Sequence, residues 1–145
     1  LTYEQLEERN RLIAAGDFSA PLFQFARQFA EADEIVIAAP YWDLSFPSIL
    51  RIYLEHTTVT GLTFRYSETG VPIGLCKAKR LIYVTTAGGP IGDRNFGFDY
   101  VEALASTFYG IADTVCFQAE NLDIWGADVS GILENAAREI ENSAL

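Results

Sequence analysis

The feature that most constrains the fold is an uninterrupted apolar run at residues 35–39, which ends at Pro40. A strand with one solvated face alternates apolar and polar residues, so a run without alternation predicts a strand covered on both faces. Further short strands are predicted at residues 81–85 and 114–119. Because helical periodicity separates the three, the order is typical of βαβ units, and we expect an α/β protein with a doubly wound parallel sheet.

Helices are predicted from capping residues and apolar spacing. Thr2 and Gln5 form a capping-box pattern, and Gly16 is expected to end that first helix. Ser19 and Ser45 are the expected N-caps of the next two helices. Two further helical segments follow the second and third strands.

One segment departs from this alternation of strands and helices. Leu62, Phe64 and Tyr66 alternate with polar residues, Thr69-Gly70 supplies a turn, and the alternation resumes at Val71. This pattern predicts a β-hairpin inserted before the second core strand. With Phe64 and Tyr66 pointing outward, the hairpin would offer an apolar arm to a second subunit, so we expect a homodimer.

Composition argues against several classes of function. A formal net charge of −10 disfavours nucleic acid as a partner, and no apolar run approaches the ~20 residues of a membrane span. Cys76, Cys116 and His56 are too few ligands for a zinc site, so we expect no metal and two free thiols in a reducing, cytoplasmic compartment. The sequence has neither a Walker A nor a GxGxxG motif, and no nucleophile motif accompanies His56.

Two loops are the candidates for ligand binding, because open parallel sheets bind ligands beyond the carboxyl ends of their strands. Residues 40–44 follow the first strand and place Tyr41 beside Trp42, whereas residues 85–90 follow the second strand and are glycine-rich. Aromatic side chains facing free backbone N–H donors suit a planar heteroaromatic ligand with polar edges, such as a flavin ring. Taken singly, the glycines also fit a plain turn, and the aromatic residues fit a lid over the core.

Three segments resemble the FMN-dependent NADH-azoreductases of the flavodoxin-like NAD(P)H dehydrogenase (quinone) superfamily. They are residues 35–45 (IVIAAPYWDLS), 61–70 (GLTFRYSETG) and 85–89 (TTAGG). The resemblance covers essentially the whole chain. It implies a flavodoxin-like homodimer with one non-covalent FMN per subunit near the dimer interface. It also implies ping-pong hydride transfer, in which NADH or NADPH reduces the flavin and two electrons then pass to a quinone or azo compound.

The resemblance also implies which residues contact the ligands, and it requires no catalytic side chain because the flavin carries the chemistry. The implied FMN-binding residues are Pro40, Tyr41, Trp42, Asp43, Leu44, Thr85, Thr86, Ala87, Gly88 and Gly89. Tyr66 and Phe108 match positions at which the family places aromatic residues around the substrate cavity.

The chain departs from the family pattern at three places. Asp43 stands where the family usually has Asn, and a carboxylate there would either lower the flavin potential or change which acceptors react. Ala87 stands where an Arg or another polar residue is usual. The family's first strand and its phosphate-binding loop would lie upstream of Leu1. Residues 1–145 are therefore expected to form a single, N-terminally incomplete flavodoxin-like domain. Two alternative functions stay open: a flavin-binding electron carrier, and a non-enzymatic interaction protein.

Overall fold

A three-stranded parallel sheet lies at the centre of residues 2–143, which are the residues that the computed structural model describes. The strands are β1 (Ile35–Ala38), β2 (Phe64–Tyr66), β3 (Pro72–Gly74), β4 (Arg80–Thr86) and β5 (Asp113–Ala119). β4 pairs in parallel with β1 on one side and with β5 on the other, so that Ile37, Tyr83 and Cys116 are in register. The predicted α/β fold with a parallel sheet is confirmed.

The helices are α1 (Tyr3–Ala15), α2 (Gln24–Glu31), α3 (Ser48–Thr57), α4 (Phe96–Leu104) and α5 (Val129–Ser143). The capping box of Thr2 and the left-handed Gly16 at the end of α1 are confirmed. The two predicted serine N-caps are wrong. Ser19 donates instead to the Asp17 carboxylate at 2.6 Å, and Ser45 belongs to a tight turn three residues before α3.

The sheet carries helices on both faces. On one face, α2, α3 and α4 cover Ile35, Ile37, Leu81 and Tyr83, which form the main core together with Tyr109. On the other face, α5 lies against β4 and β5 beside a small apolar cavity. The expectation that the first strand is covered on both faces is wrong for the described residues. α5 does not extend over β1, so Val36 is 60% exposed.

The predicted hairpin is confirmed, because β2 and β3 pair antiparallel with Phe64 opposite Gly74. The prediction that Phe64 points outward is wrong: its side chain is 4% exposed and packs against Phe108, with the ring centroids 4.8 Å apart. A π-helical turn that continues α4, Ala105–Tyr109, brings Phe108 to this position. Tyr66 is 52% exposed and remains the outward aromatic residue of the hairpin.

Both cysteines are free, as predicted, with Cys76 buried and Cys116 half-buried. Burial raises the pKa of each thiol to about 11. Both side chains are therefore protonated at neutral pH and are poor nucleophiles. Within residues 2–143, no His, Cys, Asp or Glu side chains cluster as metal ligands, and no helix has the length and apolarity to cross a bilayer.

We predict that Gly74→Ala destabilises the hairpin and the end of α4 together. An added Cβ at this position would overlap the backbone of Tyr109 and Gly110. We expect the free energy of unfolding, measured in urea, to fall by ~1–3 kcal/mol, as it does at other overpacked sites. In the control Gly89→Ala, the new Cβ meets nothing within 4 Å, so stability should be nearly unchanged. Equal stability of the two variants would contradict this account of the packing.

Candidate active site

The two candidate loops are held side by side by an extension of the strand pairing. Beyond the last paired residues of β1 and β4, the Ala39 N–H donates to the Val84 carbonyl at 3.0 Å and the Tyr41 N–H donates to the Thr86 carbonyl at 2.9 Å. On the other side of β4, the Ala87 N–H donates to Ala119 at 2.8 Å. Both loops therefore begin at the carboxyl end of the sheet, which is where doubly wound folds bind ligands.

The first loop contains a strained two-residue turn. Trp42 and Ser45 exchange two backbone hydrogen bonds of 2.8 and 2.9 Å, and the residues between them, Asp43 and Leu44, have φ values of 49° and 68°. A left-handed conformation costs a residue such as leucine roughly 1–2 kcal/mol, and such outliers cluster at functional sites. The turn leaves Trp42 60% exposed.

The turn also sends its side chains into two different cavities. Tyr41 and Leu44 line a cavity of about 430 Å³ opposite residues 90–94, and the Tyr41 hydroxyl donates to the Arg94 carbonyl at 3.0 Å. Trp42 and Asp43 line a cavity of about 720 Å³ on the side of α3 and α4. These four loop residues, all of them implied FMN-binding residues, thus face two separate cavities.

The glycine-rich loop presents free backbone donors. The Ala87 and Gly88 carbonyls accept hydrogen bonds from Leu122 (3.1 Å) and Asp123 (2.9 Å), which turns these carbonyls toward residues 121–123. Within the described chain, the Gly88 and Gly89 N–H groups donate to no protein acceptor. A Cβ on Gly88 would overlap the Asp123 carboxylate, so a larger residue here would displace that exposed side chain. Nothing in the sequence pattern linked Asp123 to this loop.

Thr85 contributes an unsatisfied polar group at the end of β4. Its side chain is buried, and its Oγ1 has no hydrogen-bond partner among the described residues. Buried hydroxyls without a partner are rare in folded proteins, and a bound ligand is one way to satisfy them. Thr85 also lines a small cavity with Ala38, Pro40 and Thr86 at the end of the sheet.

Tyr66 and Phe108 do not join the two loops within one chain. α3 begins next to the Trp42 turn and runs back along the sheet for 10 residues, or about 15 Å, before the hairpin. The hairpin and the π-helical turn therefore lie at the amino end of the sheet, where β4 and β5 begin. The structure brings the two loops of FMN-binding candidates together at the carboxyl end of the sheet and leaves the two substrate-binding candidates at the opposite end.

Several residues near the loops were missed by the sequence analysis. Phe96 and Tyr100 on α4 and Arg51 on α3 line the larger cavity, and their helical spacing gave no sign that they face it. Trp125 lies in the segment after β5 and is 99% exposed. An isolated aromatic residue in an irregular segment gives no signal of its position in the fold.

The open parallel sheet, with helices on both faces and the two candidate loops at its carboxyl end, defines a doubly wound α/β protein. The sequence matches the family with the flavodoxin-like fold over residues 14–144, and the chain belongs to that family.

Two proteins illustrate what this chain is similar to, one in sequence and one in structure. The FMN-dependent NADH:quinone oxidoreductase 2 of Clostridium acetobutylicum is 41% identical over 128 residues, which are 85% of this chain and 63% of the relative. The chain therefore spans just under two thirds of that relative's length. An azoreductase structure from Bacillus anthracis str. Sterne is 25% identical, with a TM-score of 0.72 over 94% of this chain and 64% of that one.

A second solved structure has a higher TM-score with this chain but a lower sequence identity. It is a FMN-dependent NADH-azoreductase from Bacillus anthracis str. Ames Ancestor in complex with FMN, with a TM-score of 0.80 and 23% identity. The match covers 98% of this chain and 72% of that one. At this identity, the likeness shows the fold alone.

Proposed function

We propose that this protein is an FMN-dependent NAD(P)H oxidoreductase that reduces quinones or azo compounds by two-electron ping-pong transfer. The observation that carries the proposal is the joining of the two loops by the hydrogen bond from Tyr41 to Thr86, which sets aromatic side chains beside free N–H donors. The named functions of two proteins that the chain resembles, a NADH:quinone oxidoreductase and an azoreductase, support the same conclusion.

The groups at the end of β4 fit FMN. The free N–H groups of Gly88 and Gly89 and the unpartnered Thr85 Oγ1 are donors suited to the polar edge of a flavin ring, and Tyr41 and Leu44 on the neighbouring loop would cover the ring. When bound, the flavin supplies hydride exchange with the nicotinamide and electron transfer to the acceptor. The protein's part is to bind and orient the ring, so no side chain has to act as a general base.

Two other functions remain to be separated from this one by experiment. A flavin-binding electron carrier would share the same loops, but it would oxidise NADH slowly. An interaction protein that has lost flavin binding would use the exposed aromatic residues, among which Trp42 and Trp125 are prominent.

The first test is the visible absorption spectrum of the full protein before and after addition of FMN. We expect a flavin band that NADH bleaches under nitrogen and that menadione restores. A band that NADH bleaches only slowly would favour the electron carrier. A protein that takes up no FMN would leave the fold intact and favour the interaction protein.

Asp43 gives a second prediction, for the redox potential of the bound flavin. Asp43 precedes Leu44 in the turn between the two cavities, so its carboxylate would act through space on a ring bound beside Tyr41 and Leu44 and would disfavour the extra electron density of the reduced form. We expect Asp43→Asn to raise the midpoint potential by on the order of 20 mV, the shift that corresponds to a charge interaction of ~1 kcal/mol for a two-electron couple. A spectroelectrochemical titration measures this shift, with Asp128→Asn, outside both loops, as the control. An unchanged or lowered potential would exclude this role.

We also propose that the protein is a homodimer in which each subunit completes its partner's site. Tyr66 lies far from the loops of its own chain, so it can reach a flavin only in a second copy. Exposed apolar side chains support the contact: Ile49 is 75% exposed on α3, and Ile52 follows it by three residues on the same helix face.

The expected reducing, cytoplasmic location of the protein is also a prediction, and the two free thiols support it.

Light scattering at micromolar concentration tests the dimer. We expect the mass of two chains for the wild type and of one chain for Ile52→Glu, because a buried unpaired carboxylate opposes association. The matched control is Leu6→Glu, which places the same charge at an exposed apolar position on α1 and should remain dimeric. A monomeric wild type would rule out the shared site.

A further inference from the structure

The larger cavity beside the Trp42 turn has the composition of a binding site for an aromatic ligand. Its volume of about 720 Å³ lies in the range of small-molecule pockets. Four aromatic side chains line it: Trp42, Phe46, Phe96 and Tyr100. Trp42 and Phe96 are mostly exposed, so their rings are available to stack on a planar ligand.

Arg51 is the one positive side chain among the described residues that line this cavity, and it is held in place from two sides. Its guanidinium carbon lies 4.3 Å from the centroid of the Tyr100 ring, and its Nε lies 3.3 Å from the Glu55 carboxylate. Both partners of the ion pair are about half exposed, so solvent weakens the attraction. An incoming anion can therefore accept hydrogen bonds from the guanidinium N–H groups that do not contact Glu55.

The charges of Arg51 and Asp43 favour one orientation of a ligand in this cavity. The chain carries a net charge of −10, so an anion is repelled from most of the surface and finds a positive group here. Asp43 lines the same cavity on the side of the loop, which disfavours an anionic group at that end. A ligand with a neutral ring and an anionic substituent would direct the substituent toward Arg51 and the ring toward Trp42.

We propose that this cavity binds the planar, anionic part of a redox substrate, with its carboxylate, sulfonate or phosphate paired to Arg51 and its ring stacked between Trp42 and Phe96. The inference rests on the proposed oxidoreductase function, because it assigns the site to a substrate of that reaction. The same chemistry occurs in a nicotinamide dinucleotide and in an acidic azo or quinone acceptor. The experiments below separate these two sources.

The first experiment measures binding without turnover. Titration calorimetry compares naphthalene-2-sulfonate with neutral 2-naphthol on the full protein. We expect the sulfonate to bind about tenfold more tightly, and Arg51→Gln to remove that preference. Arg51→Lys should retain part of it, because the charge remains but the planar donor pair is lost. Circular dichroism and thermal unfolding confirm that each variant is folded.

The matched control is Arg11→Gln. Arg11 is likewise a helical arginine paired with a nearby carboxylate, that of Glu8 at 2.7 Å, but it lies on α1 away from the cavity. This variant should bind the sulfonate as the wild type does. Equal loss in both arginine variants, or equal affinity of the wild type for sulfonate and naphthol, would overturn the proposal.

Steady-state kinetics identify the source of the anion. If the cavity binds the dinucleotide, Arg51→Gln raises KM for NADH about tenfold with menadione as acceptor. If it binds the acceptor, KM rises for a sulfonated azo dye and stays constant for menadione. An active wild type with no KM change in the variant would refute this inference alone. Sulfonate binding that depends on Arg51 in a protein without NADH oxidation would refute the proposed function instead.

Discussion

The parallel pairing of β1 with β4 determines most of the geometry at the carboxyl end of the sheet. Because the pairing continues to the hydrogen bond from Tyr41 to Thr86, both loops leave the sheet at the same level and next to each other. Had the ladder ended with the strands, the aromatic loop would have been free to fold over α3. The glycine-rich loop is fixed in the same way from the other side by its bond to Ala119.

The left-handed turn at Asp43 and Leu44 divides the first loop between two cavities. In an extended loop, successive side chains would alternate between the two sides. The tight turn instead places Tyr41 and Leu44 on one side and Trp42 and Asp43 on the other. The backbone strain at Leu44 is offset by the hydrogen bonds between Trp42 and Ser45. A ligand on either side would thus contact the same rigid segment.

Much of this organisation follows from local sequence, and the failures have definite physical causes. Apolar runs located β1 and β4, and the position of these strands before the two loops located the candidate site. Ser45 failed as an N-cap because its backbone closes the Trp42 turn. Phe64 was assigned the wrong face, because alternation shows which residues share a face and not which face is covered. The contact between Gly88 and Asp123 joins residues distant in sequence, and no local pattern encodes such a pair.

In the proposed substrate site, the position of Arg51 would allow so acidic a chain to accept an anionic substrate. Long-range attraction is absent at a net charge of −10, so recognition must come from a short-range contact made after the ligand reaches the cavity. Stacking of Arg51 on Tyr100 restricts the guanidinium before any ligand arrives, which lowers the entropic cost of binding. A ligand ring stacked between Trp42 and Phe96 would then exclude water from the guanidinium, which strengthens the pairing. Specificity in this site would therefore depend on preorganisation of one cation rather than on the overall field of the protein.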